Sequence, residues 1–471
     1  MKITLHYFGN LILLLFLNTS LLAQLQTGNI ITGDGVYEGL DKCVAISDNG
    51  NRIILGAALT NINGVQQVGA ALVYELVNND WEQLGSDLEG NNEFERLGQS
   101  VEMAANGNRI AVGSSEKVQV FDLVSGDWQQ KGSNITVNGI SSIGSLQFSI
   151  DGNILVVGFA GFSAEDSLRV YKFENNDWAQ MGDGFDDINF GAAAISNNGE
   201  RVVMQEIVGN DNYDLRTYDF VGGNWIESAT AIDSDPLDVI TDGFSLNGSG
   251  NRLIVTINHE LDATGFVRTY DYVNNDWTQV IPELPIVIDN GFGAALRVSY
   301  NGAIFILGTS DDNPIGGVSD IFLYQIVNGQ WQLTSDAING SSDDEQANGH
   351  VDISGDGKSI VMAGNLTPNG DMIEYVIGYD GSNVLSVGDI LEIEGLSVFP
   401  NPTSRFTTIE LGKPYPKVQI EVSNVFGQLI QKKVYTNLRT LEVELKGTSG
   451  MYFLKISTPE GSSKTIKILK K

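Results

Sequence analysis

Ala71-Leu72-Val73-Tyr74-Glu75-Leu76-Val77-Asn78-Asn79-Asp80-Trp81-Glu82-Gln83-Leu84-Gly85 is an apolar run, an Asn/Asp turn and a second strand led by tryptophan. The stretch reads as a β-hairpin, because asparagine tolerates the positive φ that a tight hairpin turn requires. It recurs. All six tryptophans, Trp81, Trp128, Trp178, Trp225, Trp277 and Trp331, sit in copies of it at spacings of 47, 50, 47, 52 and 54 residues. That period suits a unit of four short strands, the repeat length of a propeller. A second hairpin precedes each copy and turns on a small residue followed by glycine. These turns are Asn49-Gly50, Asn106-Gly107, Asp151-Gly152, Asn198-Gly199, Ser249-Gly250, Asn301-Gly302 and Asp356-Gly357. The apolar strand after each turn, such as Arg109-Ile110-Ala111-Val112-Gly113, reads as buried on both faces.

Seven glycine turns against six tryptophans leave the last unit one strand short. The missing piece stands at the other end of the chain. Three tryptophan strands read W-x-Q-x-G (Trp81–Gly85, Trp128–Gly132 and Trp178–Gly182), and Gln24-Leu25-Gln26-Thr27-Gly28 repeats the frame with Gln in place of Trp. A ring closed by a strand from its opposite end protects its sheet edges. The expectation is an all-β protein: a seven-bladed β-propeller over residues 24–380, closed by residues 24–31, then a linker over 381–394 and a small C-terminal β-sandwich (Ig-like) over 395–471. The tryptophans are expected to wedge neighbouring blades together.

Residues 1–23 read as a signal peptide: Lys2, an apolar core over Leu11–Leu17, and Ala23 as the last residue removed. That apolar run is too short to span a bilayer, and no other stretch could. The net charge of −32 excludes nucleic acid as a partner, since phosphate binding needs a basic surface. Charge is unevenly placed. From residue 395 onward there are 12 Lys/Arg against 5 Asp/Glu, a net +7, leaving −39 for the rest. The single cysteine, Cys43, excludes an intrachain disulfide and reads as an inert buried thiol.

The repeats resemble FG-GAP, integrin-α-like propeller repeats. The resemblance rests on Phe190-Gly191 and Phe292-Gly293 opening a unit, Leu55-Gly56-Ala57 closing a second strand, and the run Val73–Trp81. The Ser354-Gly355-Asp356-Gly357-Lys358 turn is also similar to turns of TolB-like and WD-type propellers. The C-terminal region resembles the type A sorting domain of the Bacteroidetes type IX secretion system. It does so through Leu396–Thr403, with Pro400, Asn401 and Pro402, then Val425–Gln428 with Gly427, then Gly450–Ile456 with Gly450 and Tyr452, and a basic end with Lys467, Lys470 and Lys471. This resemblance implies export, recognition by the type IX machinery, and release or attachment at the outer cell surface. Gly450 is expected to allow a turn that aims Tyr452 and Phe453 inward.

No catalytic residue set is expected. G-x-S-x-G, H-E-x-x-H and C-x-x-C are absent, and no aligned sialidase Asp-box occurs. Arg52, Arg109, Arg201 and Arg252 recur after the first turn, where a structural role is simplest. No cofactor is expected. Calcium is the alternative, with Asp233–Asp238 as the nearest acidic loop, although it lacks the glycine and spacing of a calcium loop. The function expected is a secreted or cell-surface binding propeller for an extracellular protein or glycan, not an enzyme. The alternatives are a glycan-acting hydrolase or lyase and a scaffold in a surface assembly. The ligand face is expected on the loops opposite the tight turns, at Asp211, Glu260, Asp262, Asp311, Asp312, Asp343 and Asp344.

Overall fold

The computed structural model describes residues 25–32, 39, 43–136, 142–160, 167–186, 188–208, 212–233, 238–259, 264–287, 295–308, 320–327, 329–334, 338–339, 345–366, 373–380, 397–399, 403–415, 417–424, 429–446, 450–458 and 463–471. The proposed signal peptide and linker lie outside them. Every element assigned among these residues is a strand. No helix is long and apolar enough to cross a membrane among the described residues.

Up to Asp380 the strands form seven antiparallel sheets of four principal strands each. Six of them are built from consecutive strands, as in Val44–Ile46, Arg52–Ala57, Ala70–Val77 and Asp80–Gln83. The seventh takes Glu345–Ile353, Ser359–Leu366 and Ile373–Asp380 from one end of the chain and Leu25–Thr32 from the other. Leu25 pairs with Asp380, Gln26 with Tyr379 and Thr27 with Gly378, and a bulge precedes the Ile31–Val376 pair.

The turn chemistry follows the sequence. Asn78 and Asn79 have φ of 51° and 68°, and Asn175-Asn176 and Asn274-Asn275 repeat the pattern. In the first turn of the first unit, Ser47 Oγ donates to Asn49 Oδ1 and accepts from the Arg52 amide. Ser149, Ser196, Ser299 and Ser354 donate in the same way to the Asp or Asn two residues on. The hydroxyl satisfies backbone groups at the bend and so fixes where each hairpin turns.

The core lies between sheets. Ala45, Ile54, Ala71 and Val73 of the first unit pack on Val101, Met103, Ile110, Val112 and Trp128 of the second. Comparable clusters join each unit to the next through the sixth and seventh. The last cluster brings Ile31, Val361, Ala363 and Val376 of the seventh sheet onto Ile46, Ile53, Leu55 and Trp81 of the first, so the series returns to its start.

The indoles complete these junctions. Trp81 Nε1 donates to the Thr27 carbonyl at 3.0 Å, and Trp128, Trp178 and Trp225 donate to Leu84, Lys131 and Met181 at 2.9, 2.9 and 2.7 Å. Trp277 and Trp331 reach Thr217 Oγ1 and Thr269 Oγ1. The glycine that ends each W-x-Q-x-G frame is the seat of the next indole. A Cβ on Gly85, Gly132 or Gly182 would lie 2.8–3.0 Å from the following ring, and one on Gly28 would lie 2.5 Å from Trp81 Cδ1.

Arginines tie the units at the tight-turn side. Arg109 grips Asp122 with Nε and Nη2 and donates through Nη1 to the Gly152 carbonyl of the next unit. Arg52, Arg201 and Arg252 bridge Glu75, Asp219 and Asp271 to Gly107, Gly250 and Gly302 in the same way. A planar fork suits this double task, and a structural role accounts for these four side chains.

The C-terminal strands form two sheets, Ser397–Phe399, Phe406–Tyr415 and Leu438–Glu444 in one and Val418–Asn424, Leu429–Tyr435, Gly450–Ser457 and Ser463–Lys470 in the other. Ile409, Leu411, Leu441 and Val443 from the first meet Ile420, Val422, Leu454, Ile456 and Ile468 from the second in one core.

A candidate binding cavity and the loop face

The first strands of all seven sheets line a cavity of about 460 Å³. One register position decides its chemistry: the fifth residue before each turn glycine, occupied by Ala45, Glu102, Gln147, Ala194, Ser245, Arg297 and Asp352. Four of these reach across to the next sheet. Asp352 Oδ2 accepts from the Ile46 amide at 2.9 Å, Gln147 Oε1 from Ile195 at 2.7 Å, Ser245 Oγ from Val298 at 3.3 Å and Glu102 Oε1 from Phe148 at 3.5 Å. Neighbouring first strands belong to different sheets, so these side chains satisfy amides that no ladder partner serves.

The electrostatics follow from the enclosure. Burial raises the Glu102 carboxyl from 4.5 to about 8, with the Asp352 charge adding to the rise and Arg297 opposing it. Burial raises Asp352 as well, against Arg297, whose Nε lies 3.8 Å from Oδ1. Burial pushes the Cys43 thiol up to about 12, and its sulfur accepts from the Val101 amide at 2.9 Å, so it is a poor nucleophile.

The tight-turn end of the cavity is drawn in by backbone bonds between successive turns. Asp48 donates to Ala105, Ile150 to Asn197, Asn197 to Gly248, Gly248 to Tyr300 and Tyr300 to Gly355, all at 2.8–3.0 Å. Tyr300 then passes over the seventh unit to hydrogen-bond Asp48, and Gly355 makes room for it: a Cβ there would lie 2.5 Å from the Tyr300 ring. Burial raises the Asp48 carboxyl, while the Tyr300 hydroxyl and the Gly355 amide oppose the rise.

The expected ligand residues Asp211, Glu260, Asp262, Asp311, Asp312, Asp343 and Asp344 lie outside the described residues, as does most of the Asp233–Asp238 loop. No group of three or more His, Cys, Asp and Glu side chains is placed to hold a metal among the described residues. Sequence reasoning missed the cavity set Glu102, Arg297 and Asp352. They share no motif, and only their phase relative to the turn glycine marks them.

In the tail, Pro400, Asn401, Pro402 and Gly427 lie outside the described residues. Gly450 pairs with Lys470 and Tyr452 with Ile468, and Tyr452 is buried in the shared core. Lys467 pairs with Phe453 through the backbone, while the side chains of both lie outside the description. The Lys471 amide donates to the Thr403 carbonyl at 2.8 Å, so the end of the chain meets the residue that follows Pro400-Asn401-Pro402.

Residues 397–471 match the family described as secretion system C-terminal sorting domain. No curated protein matches the chain. Among solved structures, oligogalacturonate lyase in complex with manganese is 11% identical, covering 76% of this chain and 99% of that one at a TM-score of 0.50. Kuenenia stuttgartiensis hydrazine synthase is 13% identical, covering 71% and 96% at 0.49. A 6-phosphogluconolactonase-like protein from Bacteroides fragilis NCTC 9343 is 12% identical, covering 64% and 84% at 0.45. At 11% identity the likeness to the first of these speaks to a propeller-like fold and not to activity. An all-β, propeller-like body thus precedes a secretion sorting tail, and that tail supports a secreted protein that engages the type IX machinery.

Proposed function

We propose that this chain is a seven-bladed β-propeller with FG-GAP, integrin-α-like kinship, exported through type IX secretion and released or held at the outer cell surface. There it binds an extracellular protein or glycan without catalysis. The observation that carries the binding reading is the employment of the cavity side chains. Glu102, Gln147, Ser245 and Asp352 hold amides of neighbouring units, so variation for recognition falls to the loops on the face opposite the tight turns.

A second reading has its own support. Glu102, Asp352 and Arg297 line one cavity, and a carboxyl with its pKa near 8 is equipped to act as a general acid on a glycan. One experiment separates the two: the purified mature protein on a glycan array, with reducing-end release measured in parallel. Binding without release supports the binding protein. Release that disappears in Glu102→Gln and Asp352→Asn overturns it in favour of the hydrolase or lyase.

A further inference from the structure

One part of the loop face is fully described and built to an unusual degree. The loop after Ala57 in the first unit and the crossover from Glu89 to Gly98 pack backbone to backbone. Phe94 donates to the Gln66 carbonyl, Arg96 to Gln67 and Leu97 to Val68, each at 3.0 Å. Gln67, Phe94 and Arg96 have φ of 45°, 60° and 55°. A left-handed residue with a side chain costs about 1 kcal/mol or more, and such strain persists only where the surroundings impose it.

The Gln67 amide donates to Asn61 Oδ1 at 2.8 Å, and Glu95 is anchored between Phe94 and Arg96. Its side chain is buried, Oε2 accepts from the Asn91 and Asn92 amides at 2.8 and 3.0 Å, and Oε1 pairs with Lys117 Nζ at 2.9 Å. Anchoring Glu95 inward leaves its two neighbours outside: Phe94 is 48% exposed and Arg96 is exposed.

Arg96 is also the exception among the arginines. Nine precede residue 395, in a region of net charge −39, and the other eight each lie against an aspartate or glutamate. Arg96 has no carboxylate partner among the described residues. Its Nε donates to the neutral Gln67 Oε1 at 2.9 Å, which fixes the plane of the guanidinium while its outer amino groups stay unengaged among the described residues. A guanidinium left unpaired on so acidic a surface, two residues from a presented phenyl ring, is suited to a ligand that brings its own anion.

We infer that Phe94 and Arg96 form a binding site for a carboxylate-bearing sugar. The ring takes the apolar face of the pyranose, the guanidinium fork takes the carboxylate, and the exposed side-chain amide of Gln66, whose carbonyl accepts from the Phe94 amide, stands at the rim for hydroxyls. An acidic protein would bring a large negative surface against a negative one, whereas a single sugar acid does not. The inference rests on the binding reading above and names its ligand class.

The test is calorimetry on the full mature chain with an oligouronate tetrasaccharide, the same tetrasaccharide with its carboxyls reduced to alcohols, and a glutamate-rich peptide. The oligouronate should bind, the reduced sugar about tenfold more weakly, and Arg96→Gln and Phe94→Ala should each weaken binding about tenfold with melting unchanged. Arg96→Lys should fall between, because it keeps the charge and loses the fork. Failure of the oligouronate to bind, equal binding of the reduced sugar, or indifference to Arg96→Gln overturns the site. Peptide binding that depends on Arg96, without sugar binding, overturns the sugar class. If an array ligand still binds in either case, the general binding reading stands while this inference falls.

Discussion

Gly28→Ala tests how the seventh sheet is held closed. Gly28 has φ +74°, and a Cβ there would lie 2.5 Å from Trp81 Cδ1 and 2.7 Å from Nε1. A left-handed alanine costs about 1 kcal/mol. The indole must then move, which removes its bond to the Thr27 carbonyl, about 1 kcal/mol, and disturbs a junction packed to within 5% exposure at Trp81, about 1–3 kcal/mol more. The expected total is about 3–5 kcal/mol. Gly126→Ala isolates the backbone part, since Gly126 has φ +87° and nothing within 4 Å of a built Cβ; it should cost about 1 kcal/mol. Gly85→Ala, Gly132→Ala and Gly182→Ala should fall between, in the order of their 2.8, 2.9 and 3.0 Å approaches. The assay is urea unfolding of the mature chain followed by tryptophan emission, with limited proteolysis of the N-terminal strand alongside. Equal midpoints for Gly28→Ala and Gly126→Ala would refute the seat.

Two further outcomes follow from the junctions. The folded state holds the Glu102 proton up to about pH 8 and the unfolded chain only to its ordinary 4.5, so wild-type stability falls as pH rises through that window. Glu102→Gln should therefore gain on the wild type at pH 8.5, by at most about 5 kcal/mol, with the advantage gone by pH 4; a gap independent of pH would reject the buried carboxyl. Arg109→Lys loses the second bond to Asp122 and those to Gly152 and Asn153, so it should cost about 1–3 kcal/mol in the same urea assay, and an unchanged midpoint would show the tie to be idle.

Much of this fold was legible because its signals are backbone requirements. Asn78-Asn79 announces a turn with positive φ, and Trp81 announces a wedge, whereas Gly85 shows itself as the seat of the next wedge only in the structure. Gln24–Gly28 could be assigned to the last sheet because it keeps the W-x-Q-x-G frame with Gln in place of Trp, and from Leu25 onward the pairing is there. The cavity was not legible. At its decisive position the repeats carry Ala, Glu, Gln, Ala, Ser, Arg and Asp, because any acceptor that reaches the next amide serves, and three units carry none. No residue type recurs there for a motif to be drawn from. Arg96 was illegible for a different reason. Its distinction is the lack of a carboxylate partner, and pairing is a property of three-dimensional neighbours.

Besides the backbone bonds between successive turns, three sets of side chains join these sheets at different radii. Cavity acceptors hold the first strands, arginine forks hold the turns, and indoles hold the outer strands. Each of these side chains has a partner in a neighbouring unit. Arg96 belongs to none of these sets, and among the described arginines before residue 395 it alone lies against no described carboxylate. Its guanidinium rests on Gln67, in a left-handed backbone beside a buried glutamate, on the face where the loops are free to vary. Substituting a forked arginine should therefore appear in the unfolding midpoint and leave recognition alone. Substituting Arg96 should do the reverse, and that opposition is the sharpest division between framework and function that this repeat offers.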